Sequence, residues 1–455
     1  MSKQIRPRTA IMSLAVAVIA TLLLLAASHQ ATAQQPQPGG SGTAIAASSA
    51  ARNAAVVAAT ADVLQETSKL RELSIVRPVK SGAQSRAEIE RMIVKNLNED
   101  TTPEELRTSG LALKKLGLAP LDFELRPFII KLLTEQVAGY YDPKTQQFYL
   151  ADWIDVDGQL TVMSHELTHA LQDQHFNLRR FEKWPKGDSD AELAAHALIE
   201  GDATFTMIAY ARRDQARLRA LMKSTQADAG AMEQIEKAPR ALRESLLFPY
   251  QNGALWVAAL FNRGGWARIS QAFTELPQST EQILHTEKYF TREAPVKVAL
   301  PDIAGKLGAD WKRIDYDVNG EWSLYLILDE YLKSEKDSKQ AAAGWGGDRY
   351  AVYEKGKTGE VMIAQSTVWD TETDAREFFD AYAKRTGLRY TNAKAIETLP
   401  VAANLRGDAL RGWQTNEGTV IMQRDGARVL ILEGVPEKAD VSELMKLLVA
   451  PSQKF

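Results

Sequence analysis

Between residues 63 and 137 apolar positions recur at intervals of three and four, as in AEIERMIVKNL, PEELRTSGLALKKLGL and LRPFIIKLLTEQV, which predicts a run of amphipathic helices. Thr102-Pro103-Glu104 supplies a cap and a first turn, and Gly117 falls near a helix end. The period then changes. In GYYDPKTQQFYLADW, aromatic and apolar residues flank Asp142-Pro143-Lys144-Thr145, so the segment reads as a hairpin turning at Asp-Pro. Helical spacing returns in QLTVMSHELTHALQDQH, in DAELAAHALIEGDATFTMIAYARRDQ and in ALWVAALFNRGGWARISQAF. After about Gly305 helices and hairpins alternate. EWSLYLILDEYL predicts a helix, RYAVYEKGKTGEVMIAQSTVW a hairpin turning over 355–359, and TETDAREFFDAYAKR a helix capped by Thr371 or Thr373. GTVIMQRDGARVLILEG predicts a second hairpin, turning at Asp425-Gly426, and ADVSELMKLLV a closing helix.

The expected class is α+β. A mostly helical domain with a small sheet spans 60–305, and two hairpin-plus-helix units make a small α+β domain of 306–455. A chain of 455 residues exceeds one ordinary core, and 45% hydrophobic with 25% charged residues describes a globular protein. The net charge is −3 and the cations are interspersed with acids, which excludes a nucleic-acid partner.

The first residues change the picture of where the chain resides. Lys3, Arg6 and Arg8 precede an apolar run over 11–27, and Ala31-Thr32-Ala33 gives small residues before Gln34. This is the pattern of an export signal over 1–33, cleaved after Ala33, for a periplasmic or secreted protein without stable membrane insertion. The competing reading is an uncleaved anchor, since the run approaches the length that spans a hydrocarbon core. With no cysteine, neither disulfides nor a lipid-modified cysteine is possible. Residues 34–59, rich in Gln, Pro, Gly, Ser and Ala, are expected to form a low-complexity tether whose alanine-rich end suits a helix.

The candidate chemistry sits in TVMSHELTHALQDQHF, which holds three of the six histidines. His165-Glu166-Leu167-Thr168-His169 is HExxH inside an apolar-periodic helix. Residues four apart lie one turn above each other, so both imidazoles can share one cation while Glu166 projects toward an adjacent quadrant. The bland reading, a pair of hydrogen-bonded core histidines, is the poorer one, because two imidazoles and a carboxylate are costly to bury without a metal. Zinc suits nitrogen and carboxylate donors with one open position.

Two residues compete to be the third ligand. His175 lies ten residues after His165, the spacing of HExxHxxGxxH, but Gln172 stands where that pattern has a helix-ending glycine. If the helix continues, His175 rises about 9 Å beyond His169 and points away. Glu200, in ALIEGDAT on a second helix, supplies the carboxylate of a His₂Glu hydrolytic site.

HELTHALQDQHF, the separate helix with ALIEGDA and the aromatic-rich hairpin together resemble gluzincin zinc metallopeptidases, the thermolysin-like group. They are also similar to uncharacterised exported bacterial proteins that carry these motifs. The resemblance covers about 121–290; HELTH is its specific part and EGDA less so. It implies His165, His169 and Glu200 as ligands of Zn2+, Glu166 as general base, and peptide or protein substrates laid antiparallel along the strand near Gln147–Ala151. One position departs from the family: the aspartate expected four residues after the ligand glutamate is Thr204, leaving Asp202 or Asp173 to orient a histidine.

Two further groups stay open. His196, four before Glu200, could be a ligand, a transition-state donor or a core residue. His285 and Tyr289 in STEQILHTEKYF, again four apart, could stabilise an oxyanion as catalytic residues or serve packing. This segment also resembles one in the same exported proteins, where proline often stands at the position of Thr286. A non-catalytic alternative is a metal-stabilised envelope binding or assembly protein on the same scaffold. Glu166 counts against it, since a structural site has no use for a carboxylate beside its metal.

Overall fold

The computed structural model describes residues 42–136, 139–153, 156, 159–184, 187–224, 237–356 and 359–449. The expected export signal and the first residues of the expected tether lie outside them. Among the described residues no helix is long and apolar enough to cross a membrane.

The architecture is mixed α+β, with a three-stranded sheet, a seven-stranded sheet and helices between and around them. The first described element is α1 (Gly42–Arg71), so the alanine-rich end of the expected tether is helix, as its composition suits, from Gly42 onward. Alanine is the best helix former, and tertiary contacts hold the helix from its middle onward. Arg52 Nη1 donates to the Asp152 carbonyl at 2.9 Å and Asn53 Oδ1 accepts from Ala83 N at 3.0 Å. Val56, Val63 and Leu64 are buried in one apolar cluster with Met163, Leu167 and Leu171 of the histidine-motif helix.

A lobe of α2 (Arg86–Asp100), α3 (Pro103–Lys115) and α4 (Leu125–Gln136) follows β1 (Lys80–Gln84). Ser85 with Glu88 and Thr102 with Glu105 form reciprocal capping boxes, each satisfying two orphan amide donors. The expected hairpin is β2 (Gly139–Asp142) and β3 (Gln147–Ala151), paired antiparallel with Tyr141 opposite Phe148. β1, whose KSGAQ has no apolar alternation, pairs with β3 in parallel, so β3 is the central strand of three.

Next come α5 (Leu160–Phe176) and α6 (Ser189–Ala211), then α7 (Gln215–Ser224) and the long α8 (Arg240–Ala272). α6 and α8 meet at two glycines. A Cβ on Gly201 would stand 2.3 Å from the Gly253 backbone, and one on Gly253 would stand 2.2 Å from the Ala197 carbonyl, so only hydrogen fits at this crossing.

Short helices α9 (Thr280–Leu284), α10 (Thr286–Phe290) and α11 (Ala304–Leu307) lead to the second sheet. Its strands are β4 (Trp311–Asp317), β5 (Trp345–Lys355), β6 (Val361–Trp369), β7 (Lys394–Ala395), β8 (Ala409–Thr415), β9 (Gly418–Asp425) and β10 (Arg428–Val435). Both expected hairpins are present, but β6 pairs with β10 and the order β4-β5-β6-β10-β9-β8-β7 makes them one sheet. Helices α12 (Gly320–Leu332), α13 (Glu335–Ala342) and α14 (Glu372–Arg389) lie on one side, while α11 and α15 (Val441–Val449) contribute to the apolar cluster on the other. Across the division expected at 305/306 a single apolar cluster runs from Leu198 and Trp256 through Trp322 and Leu328 to Phe378 and Ile431.

Candidate metal centre

α5 runs unbroken through the motif and ends at Phe176, where Asn177 adopts a left-handed conformation with φ of 56°. Every residue from Thr161 to Asp173 on it is buried, so the motif is enclosed on all faces. His165 and His169 lie one turn apart with ring centroids 4.8 Å apart, edge to face. α6, fixed against α8 by the glycine crossing, delivers Glu200 to the same point.

The three ligand atoms converge. His165 Nε2 lies 3.1 Å from Glu200 Oε2 and 3.1 Å from His169 Nε2, and His169 Nε2 lies 3.4 Å from Glu200 Oε2. Zinc bonds of 2.0–2.1 Å in a tetrahedron require donor separations of about 3.3 Å, so the set fits this ion in size as well as in chemistry. Without a cation the three acceptors depend on shared protons. Burial pulls His169 down, but the charge of Glu200 outweighs it and leaves the ring at about 9. Glu200 shows the reverse: burial raises it, and the two imidazoles bring it to about 2. Burial also lowers His165.

Glu166 bridges from the motif helix to the first sheet. Its Oε2 accepts from Tyr141 N at 3.0 Å, while Oε1 is buried without a hydrogen-bond partner. Burial pushes this carboxyl to about 8. A buried carboxylate with one oxygen held and one free is arranged to exchange a proton with something seated beside it. The Tyr250 ring, from α8, stacks on His165 at 6.2 Å.

The second carboxylate that supports the site is Asp202, and it acts through Gln172, the residue that stands where HExxHxxGxxH has its glycine. Gln172 Oε1 meets His169 Nδ1 at 2.9 Å, and Gln172 Nε2 donates to Ile199 O at 3.0 Å and Asp202 Oδ2 at 2.9 Å. Arg71 Nε binds the other oxygen of Asp202 at 2.6 Å, with both side chains fully buried. Gln172 stands three residues after His169 on one helix face, a spacing that could have revealed it. Arg71 is 131 residues from Asp202 and gives no local signal. Asp173 orients no histidine; it accepts from Tyr141 Oη and Arg77 and caps Leu178 N. Thr204 Oγ1 and His165 Nδ1 are both buried without partners among the described residues.

The remaining candidates have other partners. His175 is part of the exposed end of α5, with Nε2 2.7 Å from the Ser74 carbonyl. His196 is 3.8 Å from Glu192 Oε1 and is not among the converging ligand atoms. His285 and Tyr289 do not share a helix face. His285, at φ −118° and ψ 80°, is the joint where α9 ends and α10 begins. It pairs with Glu321 at 2.8 Å, and the Tyr289 hydroxyl donates to the Glu275 carbonyl at 2.8 Å beneath Trp256. The shared helix face expected of these two is therefore absent, and each side chain is held by the partner just named. The strand expected as a substrate edge, β3, is covered on both sides, and the edge next to Glu166 is β2. A second acidic group, Glu281, Glu293 and Asp370, surrounds Lys288 Nζ at 2.7, 2.6 and 2.6 Å, so an ammonium already serves as its cation.

No curated protein and no solved structure matches the chain. A family model described as a domain of unknown function (DUF8575) matches residues 309–445, from just before β4 into α15, and does not include the histidine motif.

Proposed function

We propose that this protein is a zinc-dependent metallopeptidase of the gluzincin type that hydrolyses peptide bonds after export. One observation carries the reading: three ligand atoms, two imidazole and one carboxylate, converge at zinc-tetrahedron spacing beside a buried carboxylate with a free oxygen. His165, His169 and Glu200 would hold the ion, which supplies Lewis acidity, making water acidic near neutral pH and polarising a carbonyl. Glu166 is the general base. Tyr141 N–H holds Oε2, so Oε1 receives the proton of the attacking water and returns it to the leaving amine nitrogen as the C–N bond breaks. An extended peptide chain is expected along β2, whose Tyr141 amide already faces the site. The basic residues, apolar run and Ala31-Thr32-Ala33 support export to the periplasm or medium.

The test is Glu166→Gln, assayed for zinc content and for cleavage of a mixed peptide library. Zinc is expected to remain while hydrolysis falls by about 10²–10⁴-fold. Zinc binding in a wild-type chain that cleaves no peptide would instead favour the non-catalytic binding or assembly role.

A further inference from the structure

The Gln172 side chain is completely buried and makes three polar contacts. Two of its partners, the Ile199 carbonyl and the Asp202 carboxylate, can only accept. The amide NH₂ must therefore face them, because a flipped amide would set an oxygen against two oxygens. That leaves Oε1, an acceptor, facing His169 Nδ1 at 2.9 Å, and an acceptor there requires a proton on Nδ1. The neutral ring then carries its lone pair on Nε2, the nitrogen that faces His165 and Glu200.

We propose that Gln172 is the positioning residue that sets the tautomer of His169 for cation binding, and that the Arg71–Asp202 ion pair locks Gln172 in the required orientation. The proposal rests on the reading that His165, His169 and Glu200 hold a metal. Asp202 could not act alone, since it is next to the amide rather than the ring. Its second oxygen is held by Arg71 Nε, whose guanidinium also donates to Ser270 Oγ at 3.1 Å and lies 5.0 Å over the Trp266 ring. The positive charge comes from the last residue of α1, so the N-terminal helix is part of the support of the centre. His165 has no such device, its Nδ1 being without a partner among the described residues. The two histidines are thus unequal: one ring is set in advance and the other is free to choose.

The experiment is zinc affinity by chelator competition on the full chain. Gln172→Met keeps the volume and removes the acceptor; the expected result is a loss of about 10–100-fold in affinity. The rescue is a charge swap, Gln172→Glu with Asp202→Asn, which restores an acceptor toward Nδ1, gives the second oxygen a donor from position 202 in place of the bond lost to the Ile199 carbonyl, and leaves net charge unchanged. Affinity in the swap is expected to recover most of the loss, which a purely structural role for Gln172 would not produce. Zinc affinity in Gln172→Met equal to that of a zinc-binding wild type would overturn the relay while leaving the metal site intact. If Gln172→Met fails to fold, the swap decides alone: wild-type-like affinity supports the relay, and a folded swap that has lost zinc overturns it. A wild-type chain that takes up no zinc overturns the relay together with the reading beneath it.

Discussion

Glu166 and Glu200 lie within one buried site and are driven in opposite directions. Burial carries Glu166 to about 8; Glu200 feels the same burial, but His169 and His165 bring it to about 2. Burial without an imidazole has a consequence away from the site as well. Asp348 is raised by burial from 3.8 to about 6, although it accepts from Asn319 N, Gly320 N and Trp345 Nε1. The folded chain keeps this proton up to about pH 6 and the unfolded chain releases it near 3.8, so the stability it contributes is complete below 3.8 and is lost as pH rises through 6. In Asp348→Asn that loss is absent. Measured by denaturant unfolding, the wild type should weaken relative to the variant between pH 4 and 7 by on the order of 1–3 kcal/mol. Parallel pH profiles would show that Asp348 does not titrate in this range.

At the scale of elements, the ALIEGDA segment resolves into separate duties. Glu200 is the proposed ligand, Gly201 allows α6 to touch α8, Asp202 anchors Gln172, and Ala203 is fully buried. Gly201→Ala separates two opposing effects. Helix propensity alone favours alanine by about 1 kcal/mol. The new methyl, however, would stand 2.3 Å from the Gly253 backbone, which unlike a side-chain tip cannot swing aside. Overpacking of this kind costs about 1–3 kcal/mol or more, so the melting temperature should fall and zinc affinity with it; a rise in melting temperature would show that the crossing is looser than this.

The same scale explains what could be read from the chain. The motif helix, its companion and both C-terminal hairpins were legible because their apolar periods are long and their turns carry Asp-Gly or Gly signals. β1 and β4 were not, since KSGAQ and WKRIDYD carry no clear alternation and are strands only through their partners. The place of β3 at the centre of its sheet was hidden for the same reason, as its outer neighbour is β1. The shared face expected of His285 and Tyr289 did not form because four-residue spacing implies one helix face only where the helix is continuous, and here it breaks at His285 itself.

Over the whole molecule, the parts before and after Gly305 share an interior. Thr280 Oγ1 donates to Asp190 and accepts from Trp322 N, tying α6, α9 and α12 together. Phe248 on α8 packs against Trp322 with ring centroids 4.7 Å apart. A chain ending at Gly305 would expose this face, and is expected to aggregate or to lose near-ultraviolet circular dichroism; a soluble, zinc-binding truncation would show instead that the two parts fold independently. The molecule as described places the helices, the sheet edge and the Arg71 contact around one point, and the claim that this point is a zinc site has a direct test. Zinc-to-protein stoichiometry is measured on purified wild type, Glu200→Ala and His175→Ala. The account predicts close to one zinc per chain in wild type and in His175→Ala, whose ring bonds the Ser74 carbonyl, and almost none in Glu200→Ala. Zinc kept by Glu200→Ala and lost from His175→Ala would contradict it.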